Sequence, residues 1–172
     1  MCDLHQPAVL VVGVGNELRG DDGAGLEVVR HVRNRTQGDS IEARELRGDP
    51  TELLDLWLGC DAVVIVDTMR SGASPGTILR LDASHEPLPA PGRHGMSSTH
   101  AAGLAETIEL ARALGRLPAR VIVYAIEGQR YDVGTAVTDE LEAIVPALAE
   151  QLLREVRDLR ALDRSLTGFS AI

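Results

Sequence analysis

The chain has 172 residues, 44% of them apolar and 25% charged, ordinary values for a globular protein with one real core. A net charge of −9 opposes phosphate backbones and anionic lipid, and an aromatic content of 2% leaves too few rings to stack bases, so nucleic-acid and membrane-surface roles are set aside. Cys2 and Cys60 are too few and too far apart for a zinc motif or a disulfide framework, and read as reduced structural thiols.

The segment Met1–Pro7 carries no Lys or Arg, and the apolar run that follows is strand-sized, so neither a signal peptide nor a membrane span is expected and a cytoplasmic location is. The run Ala8–Val14 is continuous and β-branched, the pattern of a strand buried on both faces. A helix is predicted from Asp22 to about Gln37 on the stripe Leu26, Val28, Val29 and Val32. Ile41–Leu46 alternates as a weak strand, and Pro50 marks a helix start ahead of Leu53, Leu54 and Trp57. Ala62–Val66 is a second fully buried strand, ending in Asp67-Thr68, and Gly76–Asp82 reads as a third or edge strand.

Ser84–Ser98 holds three prolines and two glycines and reads as a loop of about 15 residues, a length that often marks function. Ala101, Leu104, Ala105, Ile108 and Ala111 then repeat at helical spacing, and Arg120–Ile126 is another buried strand. The last helix is the clearest, with Leu141, Ile144, Val145, Leu148, Leu152, Val156 and Leu159 on one stripe. That stripe is wide and intermittent, so it reads as core packing rather than a dimer seam, and a monomer is expected. The pattern lapses after about Arg160, so one domain is expected over 1–160 with a frayed tail at 161–172.

Alternating strands and helices predict an α/β fold, a sandwich with a mostly parallel sheet covered by helices on both faces. Ligands of such sheets bind beyond the carboxyl ends of the strands. The element order puts three groups at that rim: the loop from Gly15 to Gly23 with Asp21 and Asp22, then Asp67, then His100 near a helix start. Two carboxylates and an imidazole suit Ni(II), Zn(II), Mn(II) or Fe(II), and three protein ligands leave positions open for a substrate. Each residue also has a plainer role: Asp22 as a helix-start acid, Asp67 as a hydrogen-bonded strand-end acid, His100 as a helix-start or core histidine. His5, His31, His85 and His94 lie in no partner pattern and read as surface residues.

The glycine loop departs from both nucleotide fingerprints. Gly13 and Gly15 fit G-x-G-x-x-G, but Leu18 stands at the third glycine. Gly15 and Gly20 have P-loop spacing, but Asp21-Asp22 follow where Lys and Ser or Thr belong, and two acids there oppose a phosphate.

The string Gly13-Val-Gly-Asn-Glu-Leu-Arg-Gly-Asp-Asp-Gly-Ala-Gly25 closely resembles the opening of the hydrogenase maturation proteases. Ile65-Val-Asp67-Thr68 resembles that family's central strand with its aspartate, and Ser98-Thr-His100 through Glu106 resembles its histidine helix. The resemblance covers roughly Val9 to Leu153 and implies an α/β/α sheet of about five strands. It implies a metal bound by Asp22, where some members carry Glu, by Asp67 and by His100. It also implies a substrate, the nickel-loaded large-subunit precursor of a nickel-iron hydrogenase, from which a short C-terminal extension is removed; the Ni2+ is brought by the substrate.

Two routes to peptide hydrolysis follow. The nickel would act as Lewis acid and activate water, or it would serve as a recognition handle while a carboxylate acts as general base, with Asp21 the spare acid. Cys60 is expected at the amino end of its strand, away from the rim. The alternatives are a non-catalytic nickel-handling or metal-sensing protein, another small hydrolase, and, weakest, a nucleotide-binding enzyme.

Overall fold

The computed structural model describes residues 9–36, 41–89 and 99–167, with backbone alone at 99–102 and 162–167. Five strands, β1 (Val9–Val14), β2 (Glu42–Leu46), β3 (Ala62–Met69), β4 (Ile78–Asp82) and β5 (Arg120–Glu127), form one sheet in the order β2-β1-β3-β5-β4. All neighbours run parallel except β4, which pairs antiparallel with β5 at one edge. The sequence identifies the three central strands because they are covered on both faces: every residue of β1 and β3 is buried, and β5 exposes only Arg120.

Four helices cover the sheet: α1 (Ala24–Arg35), α2 (Leu53–Leu56), α3 (Thr99–Ala113) and α4 (Asp139–Thr167). One core layer joins Val64, Val66 and Tyr124 to α1 and α4. The opposite layer joins Val63, Ile65 and Val123 to Leu53, Trp57, Leu104 and Ile108. The result is the three-layer α/β/α sandwich expected from the sequence. The α4 stripe packs inside this chain, with Leu141, Val145, Leu148, Leu152, Val156 and Leu159 all in the first layer.

Three boundaries differ from expectation. The chain after β1 first makes a 3-10 turn at Gly20–Gly23, and α1 starts only at Ala24. β3 does not stop at Val66 but runs to Met69, which puts Asp67 and Thr68 inside a strand rather than beyond it. The backbone of α4 continues to Thr167, past Arg160 where the stripe lapses, because loss of an apolar stripe ends burial but not backbone hydrogen bonding. No helix among the described residues is long and apolar enough to cross a membrane.

One close approach fixes the site loop. A Cβ on Gly25 would stand 2.6 Å from the Val14 carbonyl oxygen and 2.7 Å from that of Val66. Helix α1 therefore rests directly on β1 and β3 through bare backbone, and its first turn is set against the carboxyl ends of both strands.

Candidate functional site

β1 has β2 on one side and β3 on the other, so the chain reverses its winding between β1 and β3. The crevice outside the carboxyl ends at such a point is where open α/β sheets take ligands. The loops after β1 and β3 meet there.

The first loop is held by its own backbone. Gly15 has φ 150°, and a Cβ there would fall 1.8 Å from the Asp22 carbonyl oxygen. The Asn16 amide donates to that same oxygen at 3.2 Å, and the Asn16 side chain accepts from the Leu18 amide at 3.0 Å. Glycine is thus required for the tight turn that brings Asp22 back over the end of β1.

The adjacent acids have different surroundings. Asp21 is fully buried, and its carboxylate accepts from the amides of Gln129, Arg130 and Thr138 and from the Thr138 hydroxyl, all at 2.8–2.9 Å. Burial pushes its pKa up, but these four donors outweigh burial and hold it below 3.8. They tie the loop after β1 to the segment after β5. Asp22 is 5% exposed and turns toward β3, where the Thr68 hydroxyl donates to its Oδ1 at 3.3 Å.

Strand alternation separates Asp67 from Thr68. Thr68 follows Val64 and Val66 on the α1 side, where Asp22 is; Asp67 follows Val63 and Ile65 on the α3 side. Asp67 is 1% exposed, and its Oδ1 accepts the Thr68 amide at 2.8 Å. Thr68 therefore links both carboxylates, through its amide to Asp67 and through its hydroxyl to Asp22. His100 is the second residue of α3, which leads into the start of β5 and so has its first turn at the carboxyl-end rim. Its side chain lies outside the described residues. Among the described residues, no group of three His, Cys, Asp or Glu is placed to hold a metal.

The other sequence candidates lie elsewhere. Cys60 sits just before β3 at its amino end, partly buried, with its thiol pushed up by burial and by the charges of Glu42 and Asp61. Among the described residues His31 bonds within its own helix, with Nδ1 3.1 Å from the Glu27 carbonyl oxygen. His85 is near Asp82 and Glu86 on the surface. Cys2, His5, His94 and the loop over 90–98 are outside the described residues.

The sequence reading missed three rim residues. The Tyr131 hydroxyl donates to the Met69 carbonyl at 2.8 Å, and the Arg70 guanidinium lies 4.7 Å from the Tyr131 ring centre. Burial, first, and the charges of Asp21 and Asp22 push the Tyr131 pKa up to about 12, so the phenol stays a neutral donor. Glu127, at the end of β5, is buried and accepts the amides of Ser71 and Gly72 and the Ser71 hydroxyl, closing the turn after β3. Beside the rim, a groove of about 460 Å³ opens between the turn Gly48–Thr51 and α3, lined by Asp49, Pro50, Gly103, Thr107 and Leu110.

The family model described as hydrogenase maturation protease (HycI) matches residues 48–155. The hydrogenase 2 maturation protease of Escherichia coli (strain K12) is 28% identical over 152 residues, which is 87% of this chain and 91% of that protein. The hydrogenase expression/formation protein HupD of Thiocapsa roseopersicina is 26% identical over 145 residues, 83% of this chain but only 65% of its own length. Among solved structures, the E. coli hydrogenase maturating endopeptidase HybD superimposes with a TM-score of 0.68 at 25% identity, covering 88% of this chain and 93% of that one.

Proposed function

The chain belongs to the hydrogenase maturation protease family, and we propose that it removes the C-terminal extension of a nickel-loaded nickel-iron hydrogenase large-subunit precursor. Membership makes it a peptidase. The observation that carries the finer reading is the pairing of Asp22 and Asp67 through Thr68 at the winding reversal of the sheet.

Nickel enters this reading as part of the substrate. Two carboxylates with an imidazole are a donor set that Ni(II) accepts, and a site of three protein ligands leaves room for groups the precursor already holds on its metal. Asp22 and Asp67 would bind from opposite faces of β3, and His100 from the first turn of α3. Engaging the metal fixes the precursor's tail relative to these residues, and such positioning lowers the barrier to attack on one peptide bond.

Water attack then follows one of two routes. Nickel supplies Lewis acidity at the scissile carbonyl or at the water. Alternatively a rim carboxylate, Asp22 or Asp67, takes the water's proton, which is aspartic-type chemistry. Asp21 is a poor base, because four donors hold its charge; we assign it to positioning the loop. The groove beside α3 would receive the extension as it leaves the metal. The chain would work in the cytoplasm and as a monomer, since its longest apolar stripe is spent in its own core.

The test uses purified Asp67→Asn and His100→Ala variants with nickel-loaded precursor. Each should lose cleavage while keeping the parent fold by circular dichroism. Cleavage at the parent rate by both variants would remove the site from the mechanism.

A further inference from the structure

Most arginines of this acidic chain are committed within the fold. Arg30, Arg33 and Arg47 bind Glu45, Arg80 binds Glu155, and Arg112 holds the carbonyls of Ala83 and Ser84. Arg19 and Arg130 are exposed and form no salt bridge among the described residues, as is also true of Arg116, Arg120, Arg154 and Arg157, but of these six only Arg19 and Arg130 lie in the segments after β1 and β5 at the carboxyl-end rim.

These two stand on one seam. The Asp21 amide donates to the Arg130 carbonyl at 2.8 Å, Gly20 donates to Thr135 at 3.0 Å, and Gly134 donates to Leu18 at 2.8 Å. The same seam carries Leu18 and Val133, which are 65% and 78% exposed and lead the exposed large apolar residues among those described. Arg70 extends the group, donating to the Gln129 carbonyl at 3.3 Å and lying over Tyr131. Of the nearby surface acids, Glu17 is taken by Arg30 and Arg47, which leaves Asp132 as the counter-charge on the seam. Beneath lie the buried carboxylates of Asp21, Asp22 and Asp67.

The site thus has an anionic floor and a basic, apolar margin. A cation belongs at the centre, and acidic protein surface belongs around it. We propose that Leu18, Arg19, Arg130 and Val133 form the docking surface for the precursor, gripping a segment that presents carboxylates beside an exposed apolar side chain. This rests on the precursor being the substrate. A chain of net charge −9 repels an acidic partner over most of its surface, so the arginines also orient the encounter toward the rim. The seam is rigid, because the Asp21 bonds hold both of its segments, and docking orders little new backbone.

The test measures KM and kcat for cleavage of nickel-loaded precursor at low and high salt. Three double variants are compared: Arg19→Glu with Arg130→Glu, Leu18→Ser with Val133→Ser, and Arg154→Glu with Arg157→Glu. The last pair is a control on the exposed side of α4, on the order of 20 Å along the helix from the rim. Both seam variants should raise KM by roughly tenfold or more, the loss falling on KM rather than kcat. The charge reversal should also flatten or invert the salt dependence of kcat/KM. The control should match the parent chain, and all three should melt as it does. Unchanged KM in both seam variants, with cleavage intact, overturns the docking surface and leaves the protease reading standing. Absence of cleavage by the unaltered chain overturns both.

Discussion

The Thr68 hydroxyl donates to Asp22 at 3.3 Å while the Thr68 amide donates to Asp67 at 2.8 Å, so one β3 residue orients both buried carboxylates. Asp22 comes from the turn after β1 and Asp67 from within β3, and the parallel pairing of β1 with β3 brings the two together. Replacing Thr68 with Val keeps the shape of the side chain and removes the hydroxyl. The amide bond to Asp67 survives, and Asp22 loses an orienting donor. Thr68→Val should cut kcat/KM for the precursor by roughly 10- to 100-fold if Asp22 holds nickel as proposed, the usual cost of losing a bond that orients a metal ligand. An unchanged kcat/KM would show that the hydroxyl orients nothing the reaction uses.

Gly15 tests the loop itself. A Cβ placed 1.8 Å from the Asp22 carbonyl oxygen cannot be accommodated without opening the turn. Gly15→Ala should destabilise the fold by about 3 kcal/mol or more, through overpacking and a disfavoured φ. At this chain length that lowers Tm by roughly 6–12 °C. Differential scanning calorimetry reads it, and a Tm within a degree of the parent would contradict the turn geometry.

Asp21 and Glu45 set the acid limit. Burial raises the Asp21 pKa, but its four donors depress it below 3.8 in the fold. Burial likewise raises Glu45, and hydrogen bonds from Arg30, Arg47 and Arg33 bring it down from 4.5 to about 2. Folded values below unfolded ones mean stability that is present above about pH 4.5 and is lost as pH falls toward 2. Denaturant unfolding between those limits should steepen with acid. Asp21→Asn should be less stable at pH 7 by about 2–4 kcal/mol, because an amide leaves buried donors unmatched. It should also lose part of the acid dependence.

Tyr131→Phe removes only the hydroxyl bound to the Met69 carbonyl. The ring under Arg70 remains. A stability loss of about 1 kcal/mol is expected, the net worth of one hydrogen bond, because the Met69 carbonyl still accepts the Gly128 amide at 3.1 Å. With the phenol pushed up to about 12, the pH profile of cleavage below pH 10 should keep its shape in this variant. A lost alkaline limb would mean that Tyr131 itself titrates during catalysis.

The sheet was readable from sequence because β1, β3 and β5 are apolar on both faces, and an unbroken β-branched run of strand length fits a parallel strand covered on both sides. The glycine loop was readable through its spacing, which reflects the need for bare backbone at Gly15 and Gly25. Other features depend on long-range partners. Adjacent acids look alike in a string; only the segment 129–138 makes Asp21 a clamp and leaves Asp22 to Thr68. The strand was cut short at Val66 because Asp67 looks like an ending, whereas strand pairing continues through Met69 to Glu127. Tyr131 and Glu127 gave no periodic signal, since each acts through a contact some 60 positions away along the chain.

This peptidase is proposed to act on a precursor already holding nickel. Intact-protein mass spectrometry of the hydrogenase large-subunit precursor bears on that step without intermediaries, with nickel-loaded and nickel-free samples incubated side by side with the purified chain. A short C-terminal peptide should be lost from the loaded precursor and none from the empty one. Equal cleavage of both would contradict the reading of nickel, and no cleavage of either would contradict the assignment of this substrate.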